Sequence, residues 1–262
     1  MTITTQHAPG TFCWPELATT DPQGAKKFYS SLLGWSFVDN DMGPDGTYTM
    51  LKQKGADAGA LHGLNQEQRS RGVPPHWNSY VAVESADQAA AKAKQLGGTV
   101  LLDPFDVMDL GRMAILQDPT SAMFSVWEAK KHIGVGILNE PGALCWTELL
   151  TTDTAKAEKF YTGLLPWKSE AMQMPQMTYT VFKRGDTSAG GMMKITPEMG
   201  KVPAHWLVYF EVADCDAAVA KAKGMGAKVT VPATDIPNIG RFAVLMDPQG
   251  AHFAVHTLKK PA

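Results

Sequence analysis

The residues of this chain best suited to acid–base chemistry are a glutamate and a histidine that occur twice in the same setting. Glu16 follows a tryptophan by two residues, and His76 opens the segment HWNSY. Glu148 and His205 repeat both arrangements in the second half. A carboxylate beside an imidazole raises the imidazole pKa and fixes its tautomer, which suits a general base or a ligand-binding group. Such a pair serves equally well as a structural bridge between two strands.

The chain repeats itself over almost its whole length. The first repeated segment is identical at 14 of 27 positions, at an offset of 132 residues. The segments that return are residues 11–37 as 143–169, 74–98 as 203–227, and 111–124 as 240–253. This period is far longer than that of a solenoid, so it indicates duplication of a whole domain. We expect a first domain at residues 11–128, a linker at 129–142 and a second domain at 143–258.

Composition excludes several classes of partner. With 24 basic and 26 acidic residues, the net charge of −2 gives no electrostatic reason to expect nucleic acid or a membrane surface. No apolar run is long enough to cross a bilayer, and the first ten residues lack the pattern of a signal peptide. Three cysteines are too few for a disulfide scaffold. The sequence therefore predicts a cytoplasmic protein without nucleic-acid or membrane partners.

Each half is predicted to contain a strand, a helix and three strands, twice over. In the first copy a strand at residues 13–18 leads to Asp21 and Pro22, which suit the start of a helix, and Gly34 ends that helix. Later the pattern resumes with a strand at 78–83 and a helix at 88–96. The predicted fold class is α+β, with four βαβββ modules that form two curved mixed sheets. One face of each sheet carries helices; the other, here called the cup, is free to enclose a small molecule.

The repeated motifs carry a family resemblance. W-x-E-L-x-T-x-D, A-x-x-F-Y, L-L-x-W, H-W-x-x-Y, G-R-x-A and D-P-x-x-A-x-F resemble the vicinal oxygen chelate superfamily. That superfamily includes glyoxalase I, extradiol dioxygenases and the bleomycin- and fosfomycin-resistance proteins, and the chain is most similar to its tandem glyoxalase-like members. The resemblance implies two glyoxalase-like sheets. It also implies a divalent metal in the cup, held by His on the first strand, His on the fifth and Glu on the eighth.

The residues at those three positions differ from the family pattern in both halves. They are Trp14, Asn78 and Ser125 in the first half, and Trp146, Leu207 and Ala254 in the second. Indole, leucine and alanine side chains do not ligate the divalent metals that these sites take. We therefore expect no metal and no other cofactor in the usual place.

The resemblance also places the first and fifth strands side by side. If Trp14 stands opposite Asn78, then Glu16 stands near His76, and by the same argument Glu148 stands near His205. The indoles of Trp14 and Trp146 either fill the cups or provide stacking platforms. The residues expected to bind a ligand are Trp14, Glu16, His76, Asn78, Tyr80, Trp146, Glu148, His205 and Tyr209.

Three functions stay open. The first is metal-free binding of a small apolar or aromatic molecule, with Glu–His acid–base activity as an extension. The second is a metal-dependent lyase, isomerase or dioxygenase that uses a displaced site at Glu148, His205 and His252, a set that resembles a facial triad. The third is a protein-interaction scaffold. The sequence does not decide whether the protein is an enzyme. It predicts a monomer whose halves form an internal pseudo-dimer.

Overall fold

The computed structural model describes residues 4–174 and 177–259, which form two domains of the same topology. The strands of the first domain are β1 (Phe12–Thr19), β2 (Ser36–Asp41), β3 (Thr47–Gln53), β4 (Ala56–Gly63), β5 (His76–Ala82), β6 (Thr99–Val107), β7 (Gly111–Gln117) and β8 (Met123–Ala129). Its helices are α1 (Pro22–Leu33), α2 (Gln66–Ser70) and α3 (Ala86–Gln95). The strands lie in the order β2-β3-β4-β1-β5-β8-β7-β6.

The second domain repeats this arrangement. Its strands are β9 (Leu144–Thr151), β10 (Lys168–Met174), β11 (Met177–Arg184), β12 (Thr187–Lys194), β13 (His205–Glu211), β14 (Lys228–Ile236), β15 (Gly240–Met246) and β16 (His252–Leu258). Its helices are α4 (Thr154–Leu164) and α5 (Cys215–Gly224). The strand order is β10-β11-β12-β9-β13-β16-β15-β14.

Two modules join at the centre of each sheet. Strand β1 pairs in parallel with β4 of its own module and antiparallel with β5 of the next. Strand β9 does the same with β12 and β13. The predicted α+β fold of four βαβββ modules is therefore confirmed. The short helix α2, which links the two modules of the first domain, was not predicted.

Helix boundaries follow local capping chemistry. Asp21 caps α1 by accepting a hydrogen bond from the Gly24 backbone N–H at 3.0 Å, and Gly34 ends the helix at φ 76°. Both ends agree with the prediction. Helix α3 begins earlier than the expected residue 88, because Ser85 accepts the capping hydrogen bond from the Gln88 N–H.

The helical faces of the two sheets share one core. Tyr29 of α1 donates a hydrogen bond to Asp247 of the second domain at 2.9 Å, and Trp77 donates to the Tyr29 hydroxyl at 3.1 Å. In the second domain, Trp206 likewise donates to the hydroxyl of Tyr161 at 2.8 Å, and the Tyr161 ring packs against Phe124 of the first domain at a centroid distance of 5.4 Å. Both tryptophans lie on the helical side of their sheets, as the sequence predicted. The domains therefore bury the same surface against each other.

Two further tryptophans link each domain to the segment that enters the other. The Trp35 indole N–H donates to the Gly142 carbonyl at 2.6 Å, and that of Trp167 donates to the Gly10 carbonyl at 2.8 Å. These equivalent contacts relate the halves by an approximate two-fold symmetry. Within the described ranges, no helix is long and apolar enough to cross a membrane.

Candidate functional site

The strand phase predicted for the cups is confirmed. Trp14 packs with Tyr80 and Trp127 in a cluster separate from the helical core. Trp146 packs in the equivalent place, beside Leu207 and Tyr209. The two indoles thus face away from the helices, at the positions where the family resemblance expects metal-binding imidazoles.

The register between the central strands differs from the prediction. Trp14 pairs with Tyr80, Glu16 with Asn78 and Ala18 with His76. The expected Glu16–His76 pair is therefore wrong. Side-chain alternation fixes which face a residue occupies, but a two-residue shift of register preserves that face and changes every neighbour.

The second domain has the same register. Glu148 pairs with Leu207, while His205 pairs with Leu150, so the expected Glu148–His205 pair is also wrong. His205 instead directs Nδ1 at the Pro203 carbonyl, 2.8 Å away, and His76 does the same with Pro74 at 2.9 Å. Both histidines thus begin their strands and interact with the preceding turn.

In the first cup, Glu16 is the centre of a polar cluster. Its Oε2 accepts hydrogen bonds from the hydroxyls of Tyr48 and Tyr80, each at 3.0 Å. Its Oε1 lies 3.2 Å from Nε2 of His62 on β4. The Trp14 indole N–H donates to the Tyr48 hydroxyl at 3.2 Å. A Glu–His pair therefore exists in this cup, but its histidine comes from the neighbouring parallel strand.

The geometry of His62 indicates that its ring is charged. Nε2 faces Glu16, and Nδ1 lies 3.1 Å from the Gly63 carbonyl, so both nitrogens face acceptors. Only the doubly protonated ring donates from both nitrogens. Burial lowers the pKa of His62, but the hydrogen bond and charge of Glu16 outweigh burial and raise the pKa overall. Burial raises the pKa of Glu16, yet His62 and the two tyrosines leave it below its ordinary value.

The second cup holds the same cluster without a histidine. Glu148 accepts hydrogen bonds from Tyr179 at 2.6 Å and Tyr209 at 2.8 Å, and the Trp146 indole donates to Tyr179 at 3.0 Å. Met193 of β12 is the residue equivalent to His62 of β4. Each lies two residues after the residue that pairs with the central glutamate on the parallel strand. Burial raises the pKa of Glu148, and the two tyrosine hydrogen bonds do not cancel that effect. The carboxyl group of this cup is therefore biased towards its neutral form.

The positions that hold metal in the family do not fit a metal here. In the first cup the Asn78 amide donates to the Ser125 hydroxyl at 2.8 Å, beside the indole of Trp14. In the second cup the three positions present an indole and two aliphatic side chains. Hard divalent ions require carboxylate or carbonyl oxygens, and softer ones require imidazole or thiolate. Among the described residues, no three His, Cys, Asp or Glu side chains converge as metal ligands, including the displaced set Glu148, His205 and His252.

The two cups also differ in how far they are covered. The His132 ring packs edge-on against Trp14 at a centroid distance of 4.9 Å, and Trp14 is only 6% exposed. In the second cup, Trp146 is half-buried and lies among the partly buried side chains of Leu150, Phe242 and Val244. The second cup therefore offers apolar surface to a ligand, whereas the first is largely filled beside its tryptophan.

Sequence reasoning missed three residues of these clusters: Tyr48, Tyr179 and His62. The two tyrosines occupy the same place on β3 and β11, in the repeated T-Y-T motif. The repeated motif could therefore have identified both tyrosines from the sequence. His62 carried no such signal, because its equivalent is Met193 and its contact with Glu16 depends on the parallel pairing of β1 with β4.

The fold and the repeated site define the class of protein. Residues 11–126 and 143–255 each match the model of the Glyoxalase/Bleomycin resistance protein/Dioxygenase superfamily. The chain belongs to this superfamily.

Individual relatives extend over nearly the whole chain. It is 42% identical over 252 residues to "Putative glyoxylase CFP32" of Mycobacterium tuberculosis (strain CDC 1551 / Oshkosh), covering 95% of each chain. It is 34% identical over 269 aligned residues to "Anthracycline biosynthesis protein DnrV" of Streptomyces peucetius, covering 98% of this chain and 96% of that one. The crystal structure of the Mn(II)-bound glyoxalase from Novosphingobium aromaticivorans superposes with a TM-score of 0.68 at 14% identity, covering 96% and 83% of the two chains. At this sequence identity, the similarity to the glyoxalase structure supports a shared fold only.

Proposed function

We propose that the protein binds a small, planar, apolar or aromatic molecule in the second cup, without the metal ion of its family. The observation that carries this proposal is the apolar floor of that cup. Leu207 and Ala254 replace two metal-ligand positions there, and Trp146 stands half-buried beside them. Ligand sites in proteins combine such apolar walls with a few fixed polar groups.

The polar group of this site is Glu148 with its two tyrosines. In its neutral form the carboxyl group can donate a hydrogen bond as well as accept one, so it suits a carbonyl or hydroxyl group of the ligand. Burial raises the pKa of Glu148, which favours that form more than in an ordinary carboxyl group. The similarity to an anthracycline biosynthesis protein supports a ligand built of fused aromatic rings.

Titration with dihydroxyanthraquinone, followed by tryptophan fluorescence or calorimetry, tests the proposal. Replacing Trp146 with Leu keeps apolar bulk but removes the ring. Because stacking on an aromatic side chain contributes about 2 kcal/mol, we expect affinity to fall roughly thirtyfold. Trp14→Leu is the matched control, and it should change affinity less than about threefold, since Trp14 is covered by His132. Equal effects of both changes, or no saturable binding, would contradict the proposal.

Acid–base chemistry is a second candidate, favoured by the position of the Glu148 carboxyl between two tyrosine hydroxyls at 2.6 and 2.8 Å. A carboxyl group with a raised pKa is a better base near neutral pH than an ordinary one. The test is exchange of the C–H protons next to the carbonyl of 1-tetralone for deuterium, followed by NMR. Protein-dependent exchange that disappears in Glu148→Gln would support catalysis, and a rate equal to that of buffer would contradict it.

The reciprocal contacts between the domains support a further expectation, that the chain acts as a monomer with an internal pseudo-dimer. The surface that Tyr29 and Asp247 join is already covered within one chain. Light scattering on the eluted protein should give a mass near 28.3 kDa. A mass of twice that value at micromolar concentration would contradict the monomer.

A further inference from the structure

A cleft of about 160 Å³ lies between the two domains, on the side of β9 and β12. Its walls come from the start of β1, from the linker and from the hairpin of β11 and β12. The side chains that matter for its chemistry are Thr11, Asn139, Trp146, Arg184, Thr187 and Ser188. No residue in this set, apart from Trp146, belongs to the cup described above.

Arg184 is the unusual member of this cleft. Its side chain is half-buried, yet it makes no ion pair and no hydrogen bond with any residue in the described ranges. A guanidinium group is always charged and presents five N–H donors. Because it lies on the wall of the cleft without a partner among the described residues, the guanidinium group of Arg184 keeps its donors available to an anion that enters the cleft.

Comparison with the first domain shows that this arrangement is specific to the second. Arg184 and Thr187 form the last pair of the β11–β12 hairpin, and the equivalent pair in the first domain is Gln53 and Ala56. Gln53 is satisfied within the chain, because it donates to the Pro141 carbonyl at 2.6 Å. The second domain thus has a cation where the first has a neutral amide that is hydrogen-bonded to the chain.

The residue after Thr187 also differs between the two domains, and the difference removes a negative charge from the second. Ser188 stands where the first domain has Asp57, whose carboxylate forms an ion pair with Lys52 at 2.5 Å. The second domain therefore lacks that carboxylate, and Asp186 of the hairpin turn makes no ion pair with Arg184 among the described residues. Instead, the hydroxyls of Thr187 and Ser188 line the cleft next to the guanidinium group, and neither makes a hydrogen bond within the part of the chain that the structure describes.

We propose that this cleft binds the carboxylate or phosphate group of a small molecule, with Arg184 as the charged anchor and the hydroxyls of Thr187 and Ser188 as additional donors. Arginine pairs with both oxyanions through two parallel hydrogen bonds. At about 160 Å³, the cleft is smaller than the roughly 300–1,000 Å³ typical of sites for drug-sized ligands. It therefore suits a single anionic group with at most one ring against Trp146, and not a large fused-ring molecule.

Calorimetric titration of the full chain at low ionic strength, with benzoate and separately with inorganic phosphate, tests this site. Arg184→Gln copies the residue of the first domain, so the variant should fold, which its melting temperature checks. We expect Arg184→Gln to weaken binding about tenfold or more. Arg184→Lys should weaken it less, because lysine keeps the positive charge but cannot form the two parallel hydrogen bonds of a guanidinium group.

Lys183→Gln is the matched control, because it removes one charge from the same strand but lies outside the cleft, where Lys183 pairs with Glu170. It should leave affinity within about twofold of the unchanged protein. Binding of benzoate alone identifies a carboxylate site, and binding of phosphate alone identifies a phosphate site. Saturable binding of neither anion, or equal affinity in Arg184→Gln, overturns the proposal. These results do not depend on whether an anthraquinone binds in the second cup.

Discussion

Replacing His62 with Met, the residue at the equivalent position in the second domain, should destabilise the protein in a pH-dependent way. The change removes the cation that faces Glu16 but leaves its two tyrosine hydrogen bonds in place. Removing one partner of a fully buried ion pair costs roughly 3–5 kcal/mol. The His62 side chain is 28% exposed and that of Glu16 is 13% exposed, so water screens the pair and a smaller loss applies. We expect about 2 kcal/mol at pH 5.5.

The directions of the two pKa shifts set the pH window. His62 has a raised pKa in the folded protein, so its contribution is complete below its unfolded pKa of about 6.5 and disappears as pH rises through the folded value. Glu16 has a lowered pKa, so its contribution is present above about pH 4.3 and disappears as pH falls through the folded value. The pair therefore stabilises most between roughly pH 4.3 and 6.5, and the cost of His62→Met should fall below about 1 kcal/mol at pH 9.

Urea unfolding at pH 5.5 and pH 9 measures both values. The reciprocal change Met193→His is the control, because it places an imidazole near Glu148 and should stabilise the second domain more at pH 5.5 than at pH 9. A loss in His62→Met that is the same at both pH values would refute the conclusion that His62 is charged. So would an unchanged carboxyl pKa of Glu16 by NMR after the substitution.

Three further predictions concern the core and the metal. Tyr29→Phe should cost about 1–3 kcal/mol in urea unfolding, because it removes the hydrogen bond to buried Asp247 and the acceptor of Trp77, and an unchanged free energy of unfolding would contradict the argument. Gly111→Ala should lower stability by about 1–3 kcal/mol, because the added Cβ would lie 2.2 Å from the Trp127 ring, and an unchanged melting temperature would show that the ring moves aside. Dialysis against EDTA should leave the melting temperature and dihydroxyanthraquinone binding unchanged, whereas stoichiometric metal in elemental analysis would contradict a metal-free second cup.

The fold was predictable because its signals are local or repeated. Asp21 and Gly34 mark the ends of α1, and strand alternation puts Trp14 in the cup. The duplicated motifs fixed the four modules. The register of β1 against β5 could not be predicted, because a shift of two residues leaves every side chain on the same face of the sheet.

The candidate site was predictable in part. Glu16, Tyr80, Glu148 and Tyr209 belong to the polar clusters, but the histidines assigned to them do not. The actual partner, His62, lies on a strand that reaches β1 through a parallel crossover within the module, and no short-range pattern reports that contact. Arg184 was not singled out either, because only the structure shows that it has no partner within the described chain.

The shared core between the domains implies a particular ancestry for the chain. A half-length precursor would have buried the same face by pairing with an identical copy, as an isologous two-fold homodimer, in which the packing of Tyr29 against Phe253 and of Tyr161 against Phe124 were one interaction seen twice. In such a homodimer every substitution alters both binding surfaces together. Joining the copies in one gene released them from that constraint, so that the halves could diverge, with Asn78, Ser125 and His62 in one and Leu207, Ala254 and Arg184 in the other.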